Sequence, residues 1–352
     1  MFVHGLGTAH PPRRYTKADC WVAFQTSKWF DKLDRRSRAL AQTVLQSENG
    51  IEARRLAVAT LEEVFEIDPD TLHQRFVANA PRLAAAAVQK ALAAAELGAA
   101  QLDGLVVSTC TGYLCPGLSG YVVEQLGLRP DVRAFDLVGH GCAAALPNWQ
   151  LGAALLDSGQ CRHVASVCVE LSSAAMYLDD DPGVLISACL FGDGAGAAVF
   201  GAEPPSGKRR IDCKAIGSLL NPSERNALRF EQRGGMLRNV LTRPVPRLAA
   251  EHAERVLDRM LSDAGLARAD IAQWIWHAGG RDVLVALRGR LGLEDEQLRH
   301  SAAILREFGN LSSAFVYFVL EAALAENAPA GWWWMSSFGA GFSCHGALLE
   351  VA

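Results

Sequence analysis

The chain alternates short apolar runs with longer stretches of helical periodicity. Residues 82–96 read RLAAAAVQKALAAAE, a density of alanine that predicts a helix, with Gly98 as its stop. Residues 105–108 (LVVS), just after Asp103-Gly104, have the unbroken apolar character of a buried strand. A second helix is predicted from about Ala143 to Asp157, stopping near Gly159, and the apolar runs 163–169 and 195–200 read as further strands. The second half repeats the theme, with a helix at 247–264, a strand at Trp274-Ile275-Trp276, a helix at 311–325, and strands at 332–336 and 345–349. Strands that are apolar on both faces, alternating with helices, predict an α/β protein with a covered sheet.

Side by side, the halves share a unit. A glycine turn, Cys142, an apolar helix, a strand, a glycine turn and a strand follow one another in the first. Gly309-Asn310, an apolar helix, a strand, Phe338-Gly339-Ala340-Gly341 and a strand do so in the second. The match is one of pattern and predicts an internal duplication. Residues 201–210 (GAEPPSGKRR), rich in proline, glycine and charge, are the expected joint between halves 1–205 and 206–352.

Composition narrows the class. Of 352 residues half are apolar and a fifth charged, which excludes a disordered chain, a collagen-like repeat and a coiled coil. With 34 Lys+Arg against 38 Asp+Glu the net charge is −4, so neither nucleic acid nor an anionic membrane surface is the expected partner. No run approaches the ~18 apolar residues of a membrane span, and the N-terminal MFVHGLGTAHPPRRYT lacks the apolar core of a signal peptide. Nine cysteines, none in a C-x-x-C pair, read as reduced thiols of a cytoplasmic protein rather than a zinc site.

Three positions invite chemistry. Cys142, in GHGCAAAL, stands between an apolar run and a helix, where helical N–H groups and the helix dipole favour the nucleophilic thiolate. Its flanking glycines leave room for a substrate carbonyl; a buried apolar cysteine is the alternative. His277 ends WIWH at a glycine turn, on the strand edge where open α/β folds bind ligands. Asn310, in EFGNLSSAF, opens the next helix and equally suits the role of its cap. Cys110 and Cys115 flank the turn CTGYLCPG and are candidates for a pocket wall. The other histidines lack metal-ligand spacing, although His140 lies close enough to tune Cys142.

Together, Cys142 in its glycine turn, WIWHAGG and EFGNLSSA resemble the type III polyketide synthases, the chalcone synthase-like enzymes of the thiolase fold. GTAHPP, LGLRPDV, LFGDGAGAAVFG and SFGAGF are similar to further elements of that family, in the same order along nearly the whole chain. The resemblance implies homodimers of five-layered αβαβα subunits, with one active site each. Cys142 would take an acyl primer from a coenzyme A or carrier-protein thioester, and His277 would keep its thiol ionised by pairing as imidazolium with thiolate. His277 and Asn310 would bind the malonyl-CoA carbonyl and stabilise the enolate left by carbon dioxide. Gly339 and Gly341 would lie beside the primer's oxyanion. No metal or prosthetic group is implied.

The departures from the plant pattern bear on the substrate. Phe191 matches one of two gate phenylalanines, while the other position falls at about Arg238, where an arginine would meet a phosphate or a polyketide carboxylate, or equally stand solvated at the surface. Cys115 stands where methionine is usual at the dimer contact, and Ala175 where a threonine narrows the cavity. Ala41, Val44 and Glu48 occupy helix positions that carry basic residues for coenzyme A, with Arg35, Arg36 and Arg38 nearby. These changes favour a fatty acyl primer, held beside Ala175, over a phenylpropanoid. Repeated condensation would end in a resorcinol, phloroglucinol or pyrone. The rivals are a ketoacyl synthase III-like enzyme making one condensation, a non-catalytic thiolase-fold subunit, and a cysteine hydrolase.

Overall fold

A computed structural model describes residues 1–352 and resolves the alternation into layers. Strands Arg133–Leu137, Gly104–Ser108 and His163–Leu171 run parallel, and Asp193–Gly201 and Phe2–Ala9 follow antiparallel. In the second half Ile271–Trp276 and Gly331–Gly339 run parallel, and Ser343–Val351 and Ile211–Leu220 follow antiparallel. The two half-sheets thus repeat one arrangement, with an extra edge strand on the first. They meet at the single pair Phe2 and Asp212.

Helices Ala145–Asp157 and Phe315–Ala325 lie between the half-sheets and touch strands of both. Their contact is polar at its centre, where Trp149 Nε1 donates to Tyr317 Oη at 3.1 Å and Tyr317 Oη meets Ser166 Oγ at 2.7 Å. Outside, Pro69–Ala95 covers the first half-sheet and Val245–Ala264 the second. Five layers, αβαβα, result.

Helix boundaries move in instructive ways. The helix predicted at 82–96 is the C-terminal part of Pro69–Ala95. Asp68 caps its start by accepting from Thr71 N, and internal Pro81 does not interrupt it. Its end is Glu96 in the left-handed conformation, ahead of Gly98. The alanines answer to packing: a Cβ at Gly5 would stand 2.2 Å from Ala91 O and one at Gly7 2.4 Å from Ala87 O. Small residues on both sides let strand Phe2–Ala9 approach the helix that closely. Each central helix, expected to start at 143 and 311, is instead preceded by a 3₁₀ turn, Gly141–Ala143 or Ser312–Ala314. Those two turns carry the site.

A hairpin stands apart from the main sheet. Leu228–Arg233 and Met236–Leu241 pair only with each other, through a turn at Gly234 and Gly235. All nine cysteines are free thiols, and no helix is long and apolar enough to cross a membrane.

Candidate active site

Cys142 is buried in the Gly141–Ala143 turn. The turn is seated by the late strand, for a Cβ on Gly339 would come within 2.6 Å of both Ala143 N and His140 O. Ser337 Oγ also donates to Ala143 O at 3.1 Å. Gly339 therefore acts by permitting this contact. Gly341 (φ +124°) turns toward Leu220 and does not line the cavity at Cys142.

His277 follows strand Ile271–Trp276 and is fixed by its backbone N–H, which donates to Ser336 O at 2.9 Å. Its ring stands edge-on to Phe315 and Phe338, with centroids 5.4 and 5.2 Å away, and buried Nδ1 has no hydrogen-bond partner. Asn310 is tied through its backbone to Leu190 O (2.9 Å) and Gly192 N (3.0 Å). Its Oδ1 accepts from Ser312 N at 2.8 Å in an Asx turn rather than as the expected cap, since Leu311 and Ala314 hold the cap positions, while Nδ2 donates to Gly279 O at 3.2 Å. A Cβ on Gly279 would lie 3.9 Å from His277 Nε2 and 4.0 Å from Asn310 Nδ2, so both nitrogens face the space beside that glycine. Cys142, His277 and Asn310 line one cavity of about 860 Å³.

The ion pair expected between cysteine and histidine is absent. The hydrogen bond to Cys142 Sγ comes from Ser312 Oγ, at 3.1 Å. Burial pushes the Cys142 thiol up to about 12 and the His277 imidazole down to about 3, so both rest uncharged. Ser312 reaches the sulfur from a left-handed backbone (φ +51°), a conformation that a non-glycine residue holds only where its surroundings impose it.

Beneath the cysteine lies a group the sequence analysis missed. Glu170 is fully buried on strand His163–Leu171. Its Oε2 accepts from Cys110 N at 3.1 Å and Thr111 Oγ1 at 3.0 Å. Its Oε1 faces Cys110 Sγ and Ser312 Oγ, each at 3.3 Å, and Ser313 Oγ. Burial pushes its carboxyl up and these donors hold it back down. A lone carboxylate inside the apolar string CVEL was the available signal, since a buried charge demands partners.

The expected pocket residues divide. Phe191 lines both the 860 Å³ cavity and a neighbour of about 30 Å³. Ala175 opens only onto the latter, so the room expected beside it is about that of a water or two. Cys110 lines a separate space of about 480 Å³, walled by Leu72, Phe76, Val138, Met236 and Leu237. Cys115 lies exposed at the surface.

Arg238 is neither a ligand of substrate nor a solvated arginine. It is buried and ion-paired with Asp179 (2.8 Å), Asp181 (3.1 Å) and Glu231 (2.8 Å). Strand alternation turns its neighbour Asn239 to the 30 Å³ cavity instead, where Asn239 Nδ2 donates to Ser187 Oγ at 2.7 Å. At the mouth of the main cavity, Ala41 is buried beneath the surface, whereas Arg36 lines the opening with Arg243 and Arg281.

Comparison with known proteins agrees with this arrangement. Residues 8–214 match the family described as FAE1/Type III polyketide synthase-like protein, and residues 218–351 match the chalcone and stilbene synthase C-terminal domain. The chain is 30% identical over 362 residues to the alpha-pyrone synthesis polyketide synthase-like Pks18 of Mycobacterium tuberculosis, covering 99% of this chain and 91% of that one. It is 29% identical over 360 residues to a 3,5-dihydroxyphenylacetyl-CoA synthase of Streptomyces toyocaensis, covering 98% and 89%. In fold it is similar to PKS-I of the brown alga Ectocarpus siliculosus, with a TM-score of 0.90, 24% identity, and 99% and 98% of the two chains covered. Matched along both halves, the chain belongs to the type III polyketide synthases, acyltransferases that extend a thioester-bound chain by decarboxylative condensation.

Proposed function

We propose that Cys142 carries the growing chain while His277 and Asn310 drive decarboxylation of malonyl-CoA. The observation that supports this is the convergence of His277 Nε2 and Asn310 Nδ2 beside Gly279, in the cavity that also holds the thiol. Loading begins as the Cys142 sulfur attacks the thioester carbonyl of the primer. Its proton passes to His277, a transfer that leaves the buried pair's net charge unchanged, and then to the departing thiol. Malonyl-CoA next loses carbon dioxide as its C–C bond breaks. The electron pair becomes an enolate whose oxygen accepts hydrogen bonds from His277 and Asn310. The enolate carbon attacks the acyl carbon on Cys142, a C–C bond forms and the thiolate leaves. These steps call on no metal or prosthetic group.

The primer we infer is an apolar acyl thioester. Its tail fits the 480 Å³ cavity walled by Leu72, Phe76 and Met236 better than the small space at Ala175. Each buried methylene contributes ~0.8 kcal/mol in a dry cavity, which favours medium or long chains over acetyl by orders of magnitude. The relatives' names point to an α-pyrone or a dihydroxylated aromatic ring as the product type. Arg36, Arg243 and Arg281 would meet the phosphates of the thioester carrier at the mouth.

We further propose a homodimer in the cytoplasm. Edge strand Arg133–Leu137 is open to pairing, and Tyr113 (73% exposed) and Val138 (68%) stand beside the 480 Å³ cavity, where a second copy would cover them. The free thiols fit a reducing compartment.

The test is incubation with malonyl-CoA and a series of acyl-CoA primers from acetyl to palmitoyl, plus coumaroyl, read by mass spectrometry. Products with several malonyl units, and an acyl adduct on Cys142, are expected. An adduct confined to Cys110, or a best rate with coumaroyl-CoA, sinks the assignment of nucleophile or primer respectively.

A further inference from the structure

The cavity at Cys142 and two neighbouring spaces are walled in part by one element outside the main sheet. The hairpin of residues 228–241 gives Leu228 and Leu241 to the 860 Å³ cavity, Met236 and Leu237 to the 480 Å³ cavity, and Phe230 and Asn239 to the smallest. Its position therefore decides how much room surrounds Cys142.

That position is fastened in one direction. Arg238 and Glu231 face each other across the hairpin, and the same guanidinium reaches outward to Asp179 and Asp181. Asp181 is also the cap of helix Pro182–Leu190, accepting from Gly183 N at 2.8 Å. Past the cluster, Leu241 O lies so close to Gly183 that a Cβ there would stand 1.9 Å away. The helix held by this joint ends in Leu190 and Phe191, at the wall of the main cavity and at the backbone partners of Asn310. A buried arginine with three carboxylates has no substrate within reach, yet it sets the distance between the hairpin and that helix.

We propose that Arg238 is a positioning residue for chain length: its ion cluster holds the hairpin at the spacing that fixes how many malonyl units are added before release. This rests on the proposed synthase activity. Without the guanidinium, Glu231 keeps Arg229 (3.1 Å) and Asp179 keeps only the more exposed Arg233 (3.7 Å), while Asp181 has no arginine left, so the link from the hairpin to the cap of helix Pro182–Leu190 is lost and the hairpin loosens. The walls then no longer match the chain the wild-type cavity shapes.

Arg238→Met, Arg238→Lys, Glu231→Gln and Asp179→Asn test this by two readings. Hydrogen exchange of the intact protein should accelerate at least tenfold across residues 228–241 in Arg238→Met, with little change in the half-sheets. Product analysis should show the ratio of main product to products with other malonyl counts falling at least fivefold. Acyl loading of Cys142 should stay within twofold of wild type, and Arg238→Lys should restore much of the ratio. Unchanged exchange across 228–241 overturns the proposal. So does an unchanged product ratio in a variant whose exchange has risen, for then the hairpin moves without consequence. If Arg238→Met does not fold, Glu231→Gln and Asp179→Asn, each lacking one contact, are judged by the same two criteria. Wild-type protein that takes no acyl group on Cys142 refutes the synthase mechanism instead, a failure that acyl loading reports separately from exchange.

Discussion

Two fully buried ionisable groups flank Cys142, and the protein treats them oppositely. Glu170 is surrounded by hydrogen-bond donors from residues 110–111 and 312–313, so its carboxylate is solvated by the chain itself. His277 is pressed between Phe315 and Phe338 with Nδ1 unpartnered, and its imidazole is stripped of anything that would steady a charge. A group with all its bonds made is held still and helps to hold its neighbours. A group with bonds unmade is available to a substrate. The difference separates the floor of the site, which positions sulfur and serine, from the wall, to which the proposed mechanism assigns the chemistry.

Both roles presuppose that Cys142 is the group acted upon. Cys142→Ala is expected to lose turnover by roughly 10⁴-fold or more and to show no acyl adduct in intact-protein mass spectrometry. Retained turnover breaks the comparison at its base. Asn310→Ala tests the wall: carbon dioxide release from malonyl-CoA should fall ~10²–10³-fold while Cys142 still loads. If release is unchanged, Asn310 only shapes the turn before Ser312.

Stability against pH sharpens the contrast. His277 takes up a proton near pH 6.5 when unfolded but only near pH 3 when buried. The unfolded chain therefore binds more protons between these values, and this residue's contribution to stability is lost as pH falls from about 6.5 to about 3. Denaturant midpoints for wild type and His277→Gln should converge over that interval. Parallel curves would mean that the imidazole is not held uncharged. On the floor, Glu170→Gln turns one acceptor into a donor facing other donors, which should cost ~1–3 kcal/mol in urea unfolding. A loss of decarboxylation as large as that of Asn310→Ala would move Glu170 into the chemistry. Ser312→Ala removes the bond to sulfur together with the hydroxyl's contacts to Glu170 and Cys110, and should slow loading by about 3–10-fold, worth ~0.5–1.5 kcal/mol.

The three candidate catalytic residues were legible because each sits at an element's end beside glycines that mark the turn, within strings similar to the family's: Cys142 after Gly141, His277 before Gly279, Asn310 after Gly309. Glu170 was not, because its strand reads as one more apolar run and its partners lie far along the chain. Arg238 misled for a related reason. The Gly234-Gly235 turn that declares a hairpin was available, but the sequence does not say which face of its second strand meets the cavity.

Periodicity, turn residues and the recurring unit by themselves determined the alternation of strand and helix and the duplication, since those signals are complete within a few neighbouring residues. They marked Cys142 as a candidate nucleophile beside the alternative of a buried apolar cysteine. Only the tertiary structure decided that Glu170 lies beneath Cys142, that Arg238 is locked among three carboxylates, and that the space beside Ala175 is small. Charge state and cavity volume depend on which distant segments face one another, and no local pattern carries that information.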